Sequence, residues 1–105
     1  MINLTVDNYN EEITIADKPI LLFFTSKDCN YCDSVEKTLL EINSEKILIY
    51  KIKDCAKLVD KFNILSYPTI LTFNKYKEPI NKVIGFKGKE YLKLQIRQIM
   101  KWKKS

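Results

Sequence analysis

Histidine is absent from the 105 residues of the chain. Its absence removes Ser-His and Cys-His nucleophile chemistry, and it removes most zinc sites, because histidine is a common zinc ligand. Long apolar runs are absent too. The longest, Ile20 to Phe24, is far below the roughly 20 residues that a membrane-spanning helix needs. The sequence therefore predicts a protein with no bound metal and no membrane association.

The N-terminus also lacks the basic start and apolar centre of a secretory signal, so we expect a cytoplasmic location. The net charge of +5 comes from 18 Lys and Arg against 13 Asp and Glu. Because the lysines are scattered, without a basic stripe or interleaved aromatics, they indicate a solvated surface rather than a nucleic-acid site. A chain of 105 residues fits one domain. We therefore expect residues 1 to 105 to form a single domain that acts as a monomer.

The three cysteines are Cys29, Cys32 and Cys55. A disulfide framework needs an even count and an oxidising compartment, so a functional Cys29-Cys32 pair with one further cysteine is the better interpretation. A tetrahedral metal site is not favoured, because Cys55 has no partner motif and no histidine completes the ligand set. Cys55 shares a helical stripe with Leu58 and Phe62. It is interpreted as a small core residue rather than a regulatory thiol.

Hydrophobic periodicity predicts an α/β protein. The unbroken apolar run of the second strand is typical of a parallel strand covered on both faces, and the CxxC motif lies between it and an amphipathic helix. The last two strands are close enough in sequence to form an antiparallel hairpin. The order βαβαββα predicts a central mixed sheet with helices on both faces. The predicted strands are Ile2 to Leu4, Ile20 to Phe24, Ile47 to Ile52, Ile70 to Phe73 and Ile80 to Phe86, and the predicted helices start near Thr5 or Asp7, near Cys32, at a cap by Asp54, and at Lys89, the last ending near Trp102.

This order of motifs resembles the thioredoxin family over nearly the whole chain: an apolar strand, a CxxC at a helix start, Tyr67-Pro68-Thr69 opening a strand, and Gly88 before the last helix. The resemblance implies the thioredoxin fold and a thiol-disulfide oxidoreductase that acts on disulfide-containing proteins. It also implies that Pro68 is a cis-proline facing the disulfide, and that the backbone of Tyr67 pairs with the substrate. Because the sequence has no Gly-rich dinucleotide turn, we expect the electrons to come from another protein and no cofactor to be bound to this chain. The resemblance implies that this donor is a flavin-dependent reductase of the thioredoxin-reductase type.

Four positions depart from the usual thioredoxin pattern. Thioredoxins carry Trp before the first cysteine and Gly-Pro between the two, where this chain has Asp28 and Asn30-Tyr31. They also bury an acid in the preceding strand, where this chain has Phe23. Tyr31 is more similar to the glutaredoxin motif, but the two glycines of the chain are not the adjacent pair of a glutathione site. We place the chain with thioredoxin-like proteins; a glutathione-linked reductase and a non-catalytic interaction module of the same fold stay open as alternatives.

The spacing of the CxxC motif favours reversible disulfide closure, because residues three apart lie on one helix face. Cys29 is the predicted nucleophile, since unpaired N-H groups and the helix dipole stabilise a thiolate at a helix N-terminus. Cys32 is the predicted resolving thiol. The carboxylate of Asp28 opposes the Cys29 thiolate and Lys27 partly offsets it. We therefore expect a reducing rather than an oxidising pair.

Further residues are assigned to the site from their positions. Lys51, in the middle of a strand, resembles the lysine that thioredoxins place beneath the active site, and we hypothesise that it helps the resolving thiol to ionise. The alternative is a lysine that extends to solvent at a strand end. Backbone contacts beside the proline would give affinity with little sequence preference, as when a peptide adds to a strand. The residues expected to contact substrate are Asn30, Tyr31, Tyr67 and Pro68.

Overall fold

One five-stranded sheet organises residues 1–42 and 45–101, the part of the chain that the computed structural model describes. The element order βαβαβαββα contains the five predicted strands and the four predicted helices, whereas the predicted order βαβαββα left out one β-α pair; the mixed sheet with four helices confirms the predicted fold class. The predicted end of the last helix near Trp102 lies outside the described residues. The strands are β1 Ile2–Asn3, β2 Ile20–Thr25, β3 Leu48–Lys53, β4 Thr69–Phe73 and β5 Pro79–Ile84, and the helices are α1 Tyr9–Ile15, α2 Cys32–Ile42, α3 Ala56–Lys61 and α4 Lys89–Met100.

The strands are arranged in the order β1-β3-β2-β4-β5. β3 runs parallel to β2, and β4 runs antiparallel to it. The hairpin of β4 and β5 is antiparallel, as predicted. All six residues of the central β2 are buried, because neighbouring strands flank it and helices cover it, which explains its unbroken apolar sequence.

The core is divided by the sheet into two clusters. Successive side chains of a strand point to opposite faces, so Leu21 and Phe23 pack with residues of α2 and α4, whereas Leu22 and Phe24 pack with residues of α1 and α3. The apolar stripe of α4, formed by Leu92, Ile96 and Ile99, is buried in the first cluster. Helices therefore cover both faces of the sheet, as the sequence predicts.

The start of α3 differs from the prediction that Asp54 caps it. The N-cap is Cys55, whose φ of −107° and ψ of 96° are those of an extended residue, as an N-cap requires. Asp54 instead has a positive φ of 48°, and its amide donates to the carbonyl of Thr25 over 3.3 Å. Asp54 thus ends β3 rather than starting the helix.

The start of α1 differs in a similar way from the predicted cap at Thr5 or Asp7. The N-cap is Asn8, without a side-chain hydrogen bond to the helix. The Thr5 hydroxyl accepts a hydrogen bond from the amide of Asp7 over 3.2 Å, and the side chain of Asn8 is bonded back to Asn3 and Thr5. These local bonds hold the turn after β1 and delay the helix until Tyr9.

Across the described ranges, the helices are all too short or too polar to traverse a lipid bilayer.

Candidate active site

The CxxC motif lies between the carboxyl end of β2 and the first turn of α2. In the connecting loop, the carbonyl of Ser26 accepts a hydrogen bond from the amide of Cys29 over 3.3 Å. The first helical bond of α2 runs from the amide of Val35 to the carbonyl of Tyr31 over 3.1 Å. Cys32 is therefore the first residue of the helix, and Cys29 approaches the helix N-terminus from the loop.

Cys29 and Cys32 form a disulfide, with 2.08 Å between the sulfurs and 5.5 Å between the Cα atoms. The two cysteines differ in exposure. Cys29 is half-buried, whereas Cys32 is only 4% exposed and belongs to the core cluster that contains Phe23 and Val35. A molecule arriving from solvent therefore has access to the sulfur of Cys29 rather than to that of Cys32.

The two residues between the cysteines face solvent. Asn30 is exposed and Tyr31 has 61% of its surface accessible. Asp28 and Lys27, on the amino side of Cys29, are exposed as well. The motif is thus flanked by polar and aromatic side chains that an approaching protein can contact.

The strand that follows Pro68, β4, lies beside this loop. Phe24 pairs with Thr69 in antiparallel register, so the residue before Thr69 lies next to the end of β2, where the loop to Cys29 begins. The Tyr67-Pro68 peptide bond is cis. Pro68 is buried and Tyr67 is 37% exposed. The topology therefore brings Tyr67, Pro68 and the CxxC loop to one end of the sheet.

Leu65 is a residue of this end that the sequence analysis did not single out. It lies two residues before Tyr67 in the loop between α3 and β4, and it is 86% exposed. The loop before Pro68 thus carries two exposed large side chains, Leu65 and Tyr67. The position of Leu65, three residues before Pro68, is the sequence feature that could have identified it.

Lys51 forms an ion pair with Glu36 of α2. Lys51 also lies next to Phe23, because the two residues are partners in the parallel register of β2 and β3. Neither residue of the ion pair is fully exposed, with 25% of the Lys51 side chain and 32% of the Glu36 side chain accessible. The lysine is thus neither free in solvent nor isolated, and its partner Glu36 is a residue that the sequence analysis did not single out.

Cys55 lies on the other side of the sheet from Cys32. It is a free cysteine that packs against the cluster of α1 and α3, but it is half-buried rather than buried. As the N-cap it precedes α3, so it does not lie on the helical stripe predicted for it. Within residues 1–42 and 45–101, no three side chains of the types His, Cys, Asp and Glu are grouped to hold a metal ion.

Comparisons with known proteins agree with this geometry. Residues 1–98 match the family model described as Thioredoxin. A thioredoxin of Alicyclobacillus acidocaldarius subsp. acidocaldarius is 28% identical over 102 residues, which cover 92% of this chain and 95% of that protein. A thioredoxin of Staphylococcus haemolyticus is 30% identical over 97 residues (88% and 90%), and one of Mycolicibacterium smegmatis is 30% identical over 96 residues (85% of each). The chain therefore belongs to the thioredoxin family of thiol-disulfide oxidoreductases.

Proposed function

We propose that this protein reduces disulfides of other proteins by dithiol exchange, with Cys29 as the attacking nucleophile and Cys32 as the resolving thiol. The observation that carries the proposal is the unequal exposure of one disulfide: Cys29 is half-buried at the surface and Cys32 is 4% exposed. Thiol-disulfide exchange requires that the attacking sulfur reach the substrate sulfur directly. Of the two sulfurs in the disulfide, only that of Cys29 is accessible enough to meet this requirement.

The reaction then has two exchange steps. The Cys29 thiolate attacks one sulfur of the substrate disulfide, so that a mixed disulfide forms and one substrate thiolate leaves. The Cys32 thiolate attacks the Cys29 sulfur, so that the intramolecular disulfide forms and the second substrate thiolate leaves. The substrate gains the two electrons that the cysteine pair loses, and its thiolates take up two protons.

The proposed substrate surface consists of residues at the end of the sheet where the loop and β4 meet. Exposed aromatic side chains there would contact the substrate chain, and the backbone beside Pro68 would pair with it as an added strand does. Such main-chain pairing selects for an extended segment rather than for a particular sequence. The residues are Asn30, Tyr31, Tyr67 and Pro68.

Lys51 is proposed to assist the ionisation of Cys32. A positive charge favours a thiolate when the two are close, and Lys51 lies beside Phe23, which packs in the same cluster as Cys32. Lys51→Met should therefore slow the resolving step. An unchanged resolution rate would remove Lys51 from the mechanism.

The remaining proposals concern the setting of the reaction. Family membership implies disulfide substrates and a reductase that returns electrons to the pair. We propose a flavin-dependent reductase of the thioredoxin-reductase type as that donor, no cofactor bound to the chain, a monomeric state and a cytoplasmic location. A coupled assay with NADPH consumption, run with that reductase and separately with glutathione and its reductase, distinguishes the two electron donors.

Reduction of insulin in the presence of dithiothreitol tests the reaction itself. The wild-type protein should accelerate insulin precipitation, and Cys29→Ser should abolish the effect because no attacking thiolate is left. Cys32→Ser should accumulate a mixed disulfide with the substrate, visible as a reducible adduct by mass spectrometry. Cys55→Ser is the matched control and should retain wild-type activity.

A wild-type protein that binds disulfide-containing proteins without turnover would instead identify a non-catalytic interaction module. An adduct that forms on Cys32 in the Cys29→Ser variant, faster than one on Cys29 in Cys32→Ser, would reverse the assigned roles.

A further inference from the structure

Phe23 leaves the buried Cys32 without an acid in the strand beneath it. Phe23 is fully buried and packs in the same cluster as Cys32. A thiol surrounded by apolar groups ionises less readily than one in water. The resolving step requires the Cys32 thiolate, so some group must take the proton, and β2 offers none on this face.

A carboxylate is nevertheless present one helical turn away. Glu36 follows Cys32 by four residues in α2, and positions four apart lie on the same helix face, roughly 40° apart around the axis. The helix turns this glutamate toward β3, where it pairs with Lys51. Cys32, Glu36 and Lys51 thus lie on the same face of the sheet.

The register of the sheet places Lys51 beside the core cluster that contains Phe23 and Cys32. Lys51 is the parallel partner of Phe23, and paired residues of adjacent strands project to the same face. The ion pair therefore borders the cluster that holds Cys32. Because about one third of the Glu36 side chain is accessible, a proton taken up there can pass on to water.

We propose that Glu36, positioned by Lys51, accepts the proton of the Cys32 thiol during the resolving step. This inference rests on the proposed function, since it assigns a partner to the proposed resolving thiol. The proton passes from the Cys32 sulfur to a Glu36 carboxylate oxygen, directly or through one water. The Cys32 thiolate then attacks the Cys29 sulfur, the bond from Cys29 to the substrate breaks, and the departing substrate thiolate takes up a proton from Glu36 or from solvent.

Other charged side chains are present on neighbouring parts of the chain. They lie on the elements that carry or adjoin the ion pair: α2, β3 and the loop before Cys29. None of those on α2 is buried. These groups are Asp33, Lys37 and Glu41 on α2, Lys53 on β3, and Lys27 and Asp28 in the loop.

The test is a stopped-flow reaction of the reduced protein with a chromogenic aromatic disulfide. The first released thiolate reports attack by Cys29, and the second reports resolution by Cys32. Glu36→Gln should slow the second release on the order of 100-fold, the lower end of what general acid-base catalysis contributes, and leave the first release within about twofold. Gln is nearly isosteric with Glu, and equal unfolding midpoints in urea would establish that the variant is folded.

The pH profile separates proton acceptance from a merely structural effect. Between the pH ranges in which free carboxyls and free thiols titrate, the second release from wild-type protein should depend only weakly on pH, because Glu36 takes the proton. In Glu36→Gln it should rise about tenfold per pH unit, because only thiol already ionised by solvent reacts.

Glu41→Gln is the matched control. Glu41 is also on α2 and also pairs with a lysine, Lys89, over 2.9 Å, but it lies nine residues beyond Cys32 in sequence. Its removal should leave both releases unchanged. Wild-type rate and pH profile in Glu36→Gln would overturn the inference while leaving the proposed function intact; absence of a second release from wild-type protein would refute the proposed function itself. A slower first release in Glu36→Gln would also overturn the inference, since it would place the effect on Cys29.

Discussion

The amide of Gly85 donates a hydrogen bond to the carbonyl of Pro68 over 2.8 Å. This bond continues the ladder of β4 and β5 beyond its last pair, Thr69 with Ile84, and so ties the end of β5 to the residue that precedes β4. The Pro68 carbonyl is therefore occupied within the fold. A substrate segment that adds at this position has to pair with the backbone on the other side of Pro68, that of Tyr67.

Gly85→Ala should destabilise this connection. Gly85 has a φ of +83°, and an added Cβ would meet no atom within 4 Å, so the cost is that of the backbone conformation alone. We expect the free energy of unfolding to fall by about 1 to 2 kcal/mol, measured by urea denaturation. Gly85→Asn should lose less, because Asn tolerates positive φ better than Ala; an equal loss in the two variants would contradict this explanation.

Tyr31 and Tyr67 should affect protein substrates more than small ones. Both rings are exposed near the disulfide-bearing end of the sheet, and loss of a well-packed aromatic contact typically costs more than about 1 kcal/mol of binding. Tyr31→Ala and Tyr67→Ala should each raise KM for insulin about fivefold while the rate with a small aromatic disulfide stays near wild type.

Tyr76→Ala is the control for these two variants. Tyr76 is exposed too, but it lies in the turn between β4 and β5, at the end of the hairpin opposite Pro68. Its replacement should leave KM unchanged. Equal effects on insulin and on the small disulfide would assign the tyrosines to the chemistry of the cysteines rather than to substrate contact.

Much of the fold was predictable because the signals are local. β2 is a single apolar run and is buried along its whole length, and the stripes of α2 and α4 follow the 3.6-residue period. The predicted N-caps Asp54 and Thr5 were wrong. A positive φ at Asp54 and a short-range hydrogen bond at Thr5 compete with capping. Such competition depends on backbone angles that composition does not reveal.

Only part of the candidate site was predictable from the sequence. The CxxC motif and the proline are visible as sequence patterns, and the structure brings them to one end of the sheet. Glu36 was missed because its significance comes from Lys51, which is 15 positions later in sequence and on another element. A tertiary ion pair of this kind has no local signature; its position four residues after Cys32 is recognisable only once the partner is known.

Asp28→Asn should make the cysteine pair more oxidising. The Asp28 carboxylate, next to Cys29, disfavours the thiolate and so the reduced form, and the residue is exposed. Exposed charge interactions contribute about 0.2 to 1 kcal/mol, which for two electrons corresponds to a rise in reduction potential of about 5 to 20 mV. Equilibration with glutathione buffers measures it.

The control for the potential is Asp60→Asn, which removes an exposed carboxylate from α3. Its potential should equal that of the wild type. High salt should reduce the difference between Asp28→Asn and wild type, because salt screens exposed charges. A lower potential in Asp28→Asn, or a wild-type pair that oxidises dithiols, would refute the predicted reducing character.

Ionisation of the buried Tyr50 should make the folded protein less stable at alkaline pH than at neutral pH. The side chain is 1% exposed, and burial raises the pKa of its phenol above 10.0, with smaller contributions from Glu12 and Asp17. The folded protein therefore holds the phenol proton more tightly than the unfolded chain does. This contribution to stability is fully present below pH 10 and is lost as the pH rises from there through the folded-state pKa.

Tyr50→Phe removes that titration and should flatten the decline of unfolding free energy between about pH 9 and pH 11, measured by urea denaturation at several pH values. Some decline should remain, because burial also raises the pKa of Tyr9. Tyr31→Phe, at a ring with 61% of its surface exposed, should keep the wild-type slope. Comparing slopes rather than absolute stabilities separates the effect of ionisation from that of losing the hydroxyl group. If the unfolding free energy of Tyr50→Phe declines as steeply with pH as that of the wild type, the buried phenol does not control alkaline unfolding.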